Sequence, residues 1–268
     1  MKMLLLLLPA VSFAGGHYAT VEGLKIYYEV DGQPSATLPP LLLLHGGAET
    51  IDTSFSKVLP GFAAIRQVIA VEQQGHGHTA DIDRPLSYER MADDTAAVLE
   101  QAGFKQVDCF GWSDGGKVGL MFAMRHPQML RKLAVSGANF RQDGLSPEAI
   151  KWLRETPAEK WPPESQQAYE RVAPDPKHYV AFGHKWLDFF LGAPDWTPEQ
   201  LHSIRAPVLV MIGDREGVTV EHAQAMRRAI EHSRLAVLPG TGHATLLRRP
   251  EWVLAILNDY YAAPMPAQ

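Results

Sequence analysis

Apolar residues recur along this chain in two rhythms. Short apolar-rich runs at 41–44, 67–71, 107–110, 130–135, 207–212 and 235–238 predict strands. The unbroken Leu41-Leu42-Leu43-Leu44 suits a central parallel strand buried on both faces. Near the start, 17–21 and 24–30 alternate more loosely around Glu22-Gly23 and predict a hairpin with one exposed face. Between the strands lie helical stretches at 53–65, 88–102, 117–125, 220–231 and 250–261. In 88–102 the residues Met91, Thr95, Val98 and Leu99 share one side, and Gly103 closes the helix. Strands alternating with helices predict an α/β fold, with a mostly parallel sheet covered on both faces. The rhythm fails at 141–204, where prolines and tryptophans gather and 147–155 and 176–191 read as short helices. So long a segment exceeds an ordinary crossover. The expected organisation is therefore a core of 15–140 and 205–268 interrupted by a helical insertion at 141–204.

Composition narrows the partners. The chain has 268 residues, 46% hydrophobic and 21% charged, with a net charge of -5. No run of Lys or Arg offers a surface for nucleic acid. The single cysteine, Cys109, excludes an intramolecular disulfide and reads as a small buried hydrophobe. Met1-Lys2-Met3, the leucines at 4–8 and Ser12-Phe13-Ala14 read as a secretory signal peptide over 1–14, against the alternative of a cytoplasmic start. A periplasmic or secreted protein follows, with no stable membrane insertion once the leader is removed. Clustered Cys/His spacing and a dinucleotide fingerprint are both lacking, so no metal and no cofactor is expected.

The chemistry gathers at the carboxyl ends of the predicted strands, where ligands sit in such sheets. Gly111-Trp112-Ser113-Asp114-Gly115 has the form Gly-x-Ser-x-Gly between a strand and a helix. This would present Ser113 as a nucleophile on a sharp turn, the glycines relieving the crowding. A serine hydroxyl needs a base, and His243, after the last strand in Gly240-Thr241-Gly242-His243, has the required chain position. The third member must be a carboxylate. Glu216 and Asp214 both stand in the loop after 207–212; Glu216 is favoured and Asp214 is the alternative. The backbone N–H groups of Gly47 and Asp114 are the expected oxyanion donors. His45 reads as a brace for the Gly46-Gly47 loop, and His76 and His78 as loop-shaping or pocket-lining residues. Trp112, Asp114 and Trp186 are candidate substrate contacts. The Asp114 side chain could attract a cationic group; the preferred reading leaves it solvated or tied to the loop at 75–79.

Together, Leu44-His45-Gly46-Gly47, Gln74-Gly75-His76-Gly77-His78-Thr79, Gly111-Trp112-Ser113-Asp114-Gly115-Gly116, Gly213-Asp214-Arg215-Glu216 and Gly242-His243 resemble the α/β-hydrolase superfamily over nearly the whole chain after the leader. The elbow looks most like esterases of the biphenyl-hydrolase-like and haloperoxidase-like branches. The resemblance implies an eight-stranded, mostly parallel sheet with a helical cap after the sixth strand. One departure stands out: the family's usual Gly-Asp-x-Asp has Glu216 at its second acid. Serine at the elbow, rather than aspartate, sets aside epoxide-hydrolase and dehalogenase chemistry. The resemblance implies hydrolysis of a small to medium, apolar or aromatic ester through an acyl-enzyme. A thioesterase, amidase, carbon–carbon hydrolase or perhydrolase is the alternative within enzymes; a binding protein that kept the fold is the alternative outside them. The aromatic residues of the insertion, Trp152, Trp161, Trp186 and Phe190 among them, suggest an apolar pocket.

Overall fold

The computed structural model describes residues 15–266, so the leader read at 1–14 lies outside the described residues. Eight strands form one sheet: β1 (His17–Val21), β2 (Leu24–Asp31), β3 (Leu41–Leu44), β4 (Val68–Val71), β5 (Val107–Trp112), β6 (Leu130–Ser136), β7 (Val208–Gly213) and β8 (Ser233–Leu238). Their spatial order is β1-β2-β4-β3-β5-β6-β7-β8. The β1–β2 and β2–β4 pairs are antiparallel, and every later pair is parallel. Eleven α-helices accompany the sheet among the described residues. Those before β6 are α1 (Ile51–Phe55), α2 (Leu59–Ala63), α3 (Tyr88–Gln101) and α4 (Asp114–Arg125). Between β6 and β7 come α5 (Pro147–Glu155), α6 (Pro163–Val172), α7 (Tyr179–Gly192) and α8 (Pro198–His202). The last three are α9 (Val220–Ala229), α10 (Thr245–Arg248) and α11 (Pro250–Ala262).

The apolar runs have a direct cause. Successive residues of a strand point to opposite faces, and here both faces are covered. Leu42 and Leu44 join a core with Leu99 of α3 and Phe122 of α4, whereas Leu41 and Leu43 join Phe55, Phe62 and Leu257 on the other side. Each fully buried leucine contributes about 1.5–3 kcal/mol relative to exposure. No position in β3 can therefore be polar cheaply.

Two helix boundaries differ from the sequence pattern. The stretch 53–65 is two short helices, because Pro60 cannot continue a helix from upstream: it lacks an N–H and collides with the preceding turn. Thr50 caps the first by accepting the Thr53 N–H, with the Thr53 hydroxyl returned to the Thr50 N–H. The helix expected at 117–125 begins three residues earlier, at Asp114, directly after the elbow. In the insertion, α5, α6 and α8 start at prolines, which fit a first turn where the missing N–H costs nothing. No helix among the described residues is long and apolar enough to cross a membrane.

Candidate active site

The carboxyl ends of β3, β5, β6, β7 and β8 converge on one cavity of about 450 Å³, bordered by the helices that follow β6. Ser113 stands at its floor with φ 55° and ψ −120°, a left-handed conformation that costs a non-glycine residue roughly 1–3 kcal/mol. Its surroundings over-determine it. The Ser113 N–H donates to the Ser136 carbonyl at 2.8 Å, and its own carbonyl accepts from the Gly116 N–H at 2.9 Å. A side chain at Gly111 would collide with the Gly115 backbone, and one at Gly115 with the Leu44 carbonyl. The glycines flanking the serine are thus required by close packing of α4 against β3 and β5.

Ser113 Oγ lies 3.0 Å from His243 Nε2, and His243 Nδ1 lies 2.6 Å from Glu216 Oε1. With Nδ1–H donating to Glu216, Nε2 is left to accept the serine proton. The Glu216 side chain is 3% exposed while half of the His243 side chain is open, so the acid is sheltered and the base accessible. Burial among protein atoms alone would push the His243 imidazole down; the Glu216 hydrogen bond and charge outweigh it, and the pKa is raised above 6.5. Asp214 is exposed and makes no side-chain hydrogen bond to His243. The acid loop is pinned on two sides, by Arg215 N–H to the Thr241 carbonyl and by Ser146 N–H to the Gly217 carbonyl. That placement lets the longer glutamate reach the ring.

The backbone N–H groups of Gly47 and Asp114 have no hydrogen-bond partner among the described residues. Two buried histidines hold the loop that carries Gly47. His45 Nδ1–H donates to the Gly46 carbonyl at 2.8 Å, and its Nε2 accepts the Gln73 N–H at 3.0 Å. His76 Nε2 accepts the Ala48 N–H at 3.0 Å. Burial pushes both imidazoles down to about 4, so they stay neutral and can act as acceptors at neutral pH. A Cβ at Gly47 would strike the Trp186 ring and the Asp114 carboxylate, which explains the glycine. His78 is placed elsewhere: it stacks on Tyr27, with ring centroids 3.9 Å apart, and donates to Glu72. Cys109 is fully buried, and burial pushes its thiol up.

Trp112 and Trp186 line the cavity. The Asp114 carboxylate does not, which corrects its reading as a substrate contact and as a solvated or loop-tied group. It is buried, with Lys117 Nζ at 3.0 Å, the Tyr88 hydroxyl at 2.8 Å and Trp186 Nε1 at 2.6 Å. Burial would raise its carboxyl; Lys117 and the two hydrogen bonds outweigh that and hold it below the usual carboxylate range. Lys117, Tyr88 and Glu49 carry no motif or spacing that marks them as site residues in the sequence. Glu49 lines the same cavity as Ser113, and burial raises its carboxyl.

Residues 41–256 match the model of the Alpha/beta hydrolase family. This chain belongs to that family. Over 257 residues it is 27% identical to human Serine hydrolase BPHL, across 90% of this chain and 84% of the human protein. It is 27% identical over 241 residues to pimeloyl-(acyl-carrier protein) methyl ester esterase of Neisseria meningitidis, across 81% of this chain and 91% of that protein. It is 24% identical over 261 residues to 2-hydroxy-6-oxo-2,4-heptadienoate hydrolase of Pseudomonas putida, across 84% of this chain and 89% of that protein. Among solved structures, the hydrolase BphD of Rhodococcus shares the α/β-hydrolase fold with a TM-score of 0.77 at 20% identity, covering 94% of this chain and all of that one.

Proposed function

We propose that this member of the alpha/beta hydrolase family is a serine carboxylic ester hydrolase for small to medium, apolar or aromatic esters. The observation that supports it is the chain Ser113–His243–Glu216, with contacts of 3.0 and 2.6 Å, opening into a cavity walled largely by aromatic and aliphatic side chains. In this reading His243 takes the Ser113 proton as the hydroxyl attacks the ester carbonyl. The Gly47 and Asp114 N–H groups bind the oxyanion, and the helix that starts at Asp114 adds its positive end. His243 then protonates the departing alcohol. Water, deprotonated by the same imidazole, attacks the acyl-serine and frees the acid. Residues 141–204 act as a cap whose α5 and α7 wall the cavity. The second reading, a carbon–carbon hydrolase, draws on the Pseudomonas putida relative, whose named substrate is a carboxylate. Among the described residues no Lys or Arg lines the cavity, so no permanently charged cationic side chain is offered to a carboxylate.

A fluorophosphonate probe tests the reading. It is expected to label the protein stoichiometrically and to leave Ser113→Ala unlabelled, with turnover of 4-nitrophenyl acetate and butyrate in the wild type only. Folded wild type that resists the probe and turns over neither ester would sink the proposal. Trp152 probes the pocket's reach: it lines the cavity yet is 55% exposed, at the mouth. Trp152→Ala is expected to lower kcat/KM for 4-nitrophenyl octanoate about tenfold, the loss of roughly 1.4 kcal/mol of apolar contact, and to leave the acetate within about twofold. Equal losses on both esters would remove Trp152 from the acyl path.

A further inference from the structure

The charge lining the cavity is one-sided. Among its lining residues the titratable side chains are Glu49, Glu216 and His243, and none is Lys or Arg. Glu216 is engaged by His243 at 2.6 Å. The nearby cation, Lys117, is 1% exposed and held by Asp114 at 3.0 Å, with its ammonium 3.6 Å from the centre of the Phe190 ring. That leaves Glu49 with no Lys or Arg among the lining residues; only the Thr53 hydrogen bond and the His243 imidazole favour its charged form. Its position is central: the Glu49 stem and the Trp112 ring both border Gly46, their nearest atoms 3.4 and 3.1 Å from a Cβ placed there. Gly46 precedes the expected oxyanion donor Gly47, so the Glu49 stem borders the oxyanion loop in the cavity that also holds Ser113. The rest of the wall is largely apolar, with Trp112, Leu145, Leu153, Trp161, Trp186 and Phe190. A charge among such groups is screened far less than one in water.

We propose that Glu49 is a specificity-determining residue that filters substrates by charge: it rejects esters carrying a carboxylate on the acyl chain and restricts the enzyme to esters uncharged there. This rests on the ester-hydrolase reading and names its substrate class. The physical basis is like-charge juxtaposition in a desolvated site, which discriminates between partners more strongly than attraction selects them. The charge of Glu49 also reaches the His243 imidazole and adds to its upward shift, which places the two groups within electrostatic range.

Two 4-nitrophenyl esters of adipic acid, one with the far carboxyl free and one with it methyl-capped, differ chiefly in that charge. For the wild type at pH 8, kcat/KM on the capped ester is expected to exceed that on the free acid by about a hundredfold, a size reached by other close like-charge contacts. Glu49→Gln and Glu49→Ala are each expected to cut that ratio about tenfold, whatever they do to the absolute rate. A wild-type ratio within threefold, or a large ratio unchanged in both variants, overturns the charge filter. Normal turnover of the capped ester with no discrimination removes the filter alone. Failure of folded wild type to turn over the capped ester removes the ester-hydrolase reading and the filter with it.

Discussion

His243→Ala is expected to lower kcat on a neutral 4-nitrophenyl ester by about a millionfold, and Glu216→Gln by about ten-thousandfold. The difference follows from what each group does. Without the imidazole no group within hydrogen-bond reach of Ser113 Oγ can take its proton, since His243 Nε2 is the partner, at 3.0 Å. Without the carboxylate the imidazole remains but loses the acceptor, 2.6 Å away, that fixes its tautomer and stabilises its charged form. Residual rate in His243→Ala reports the oxyanion donors and binding alone, whereas in Glu216→Gln it also includes the unanchored imidazole. The pH profile adds a second readout. The base must be neutral, so activity is lost as pH falls through the His243 pKa, which burial lowers but Glu216 raises above 6.5. Removing the charge of Glu216 removes the main raising cause, and the acid limb of kcat/KM should move to lower pH. A limb that stays in place while the rate collapses would mean Glu216 acts on folding rather than on the imidazole. Asp214→Asn, an exposed change with no contact to the ring, is the control and should leave both rate and profile near wild type.

The sequence disclosed most where physics is local. Strands buried on both faces admit only apolar residues, so β3 reads directly as four leucines. The serine announced itself because a left-handed turn packed against two strands forces glycine at 111 and 115. His243 and Glu216 were legible by position, since each follows a strand whose carboxyl end faces the same cavity. Glu216 was favoured over Asp214 from position alone, but the choice between two nearby acids rests on backbone contacts to Thr241 and Ser146 that the sequence does not display. The start of α4 was hidden by Gly115 and Gly116, poor helix formers that packing imposes anyway. Asp114 and Lys117 were the least legible. One turn of helix brings them together, but Tyr88 and Trp186 complete the site from 26 and 72 residues away, and a lysine in a helix reads as a surface residue until that is known.

That buried pair carries the largest stability prediction. Lys117→Met is expected to destabilise the protein by about 3 kcal/mol or more at pH 7, because it strands a charged carboxylate that had one cation and two hydrogen-bond donors around it. In a domain of this size the loss corresponds to roughly 6 °C or more in Tm. Asp114 supplies the sign of the pH dependence. In the wild type its folded carboxyl is held low, so its share of stability is present above the ordinary carboxylate pKa and is lost as pH falls through the folded value. Without Lys117 the largest lowering cause is gone, and burial is expected to push the Asp114 carboxyl upward against the Tyr88 and Trp186 hydrogen bonds. The variant then folds with a neutral Asp114 in acid and must deprotonate or bury that charge as pH rises. Its deficit should be small near pH 4 and grow toward neutral pH, as read from urea midpoints across that range. The double variant Asp114→Asn/Lys117→Met should recover at least half of the loss, since removing both charges costs less than orphaning one. Because Trp186 Nε1 donates to Asp114 and its ring covers Gly47, the single variant should also loosen α7 over the oxyanion loop. A Lys117→Met protein as stable as wild type at every pH would show that the ammonium contributes nothing to holding that carboxylate.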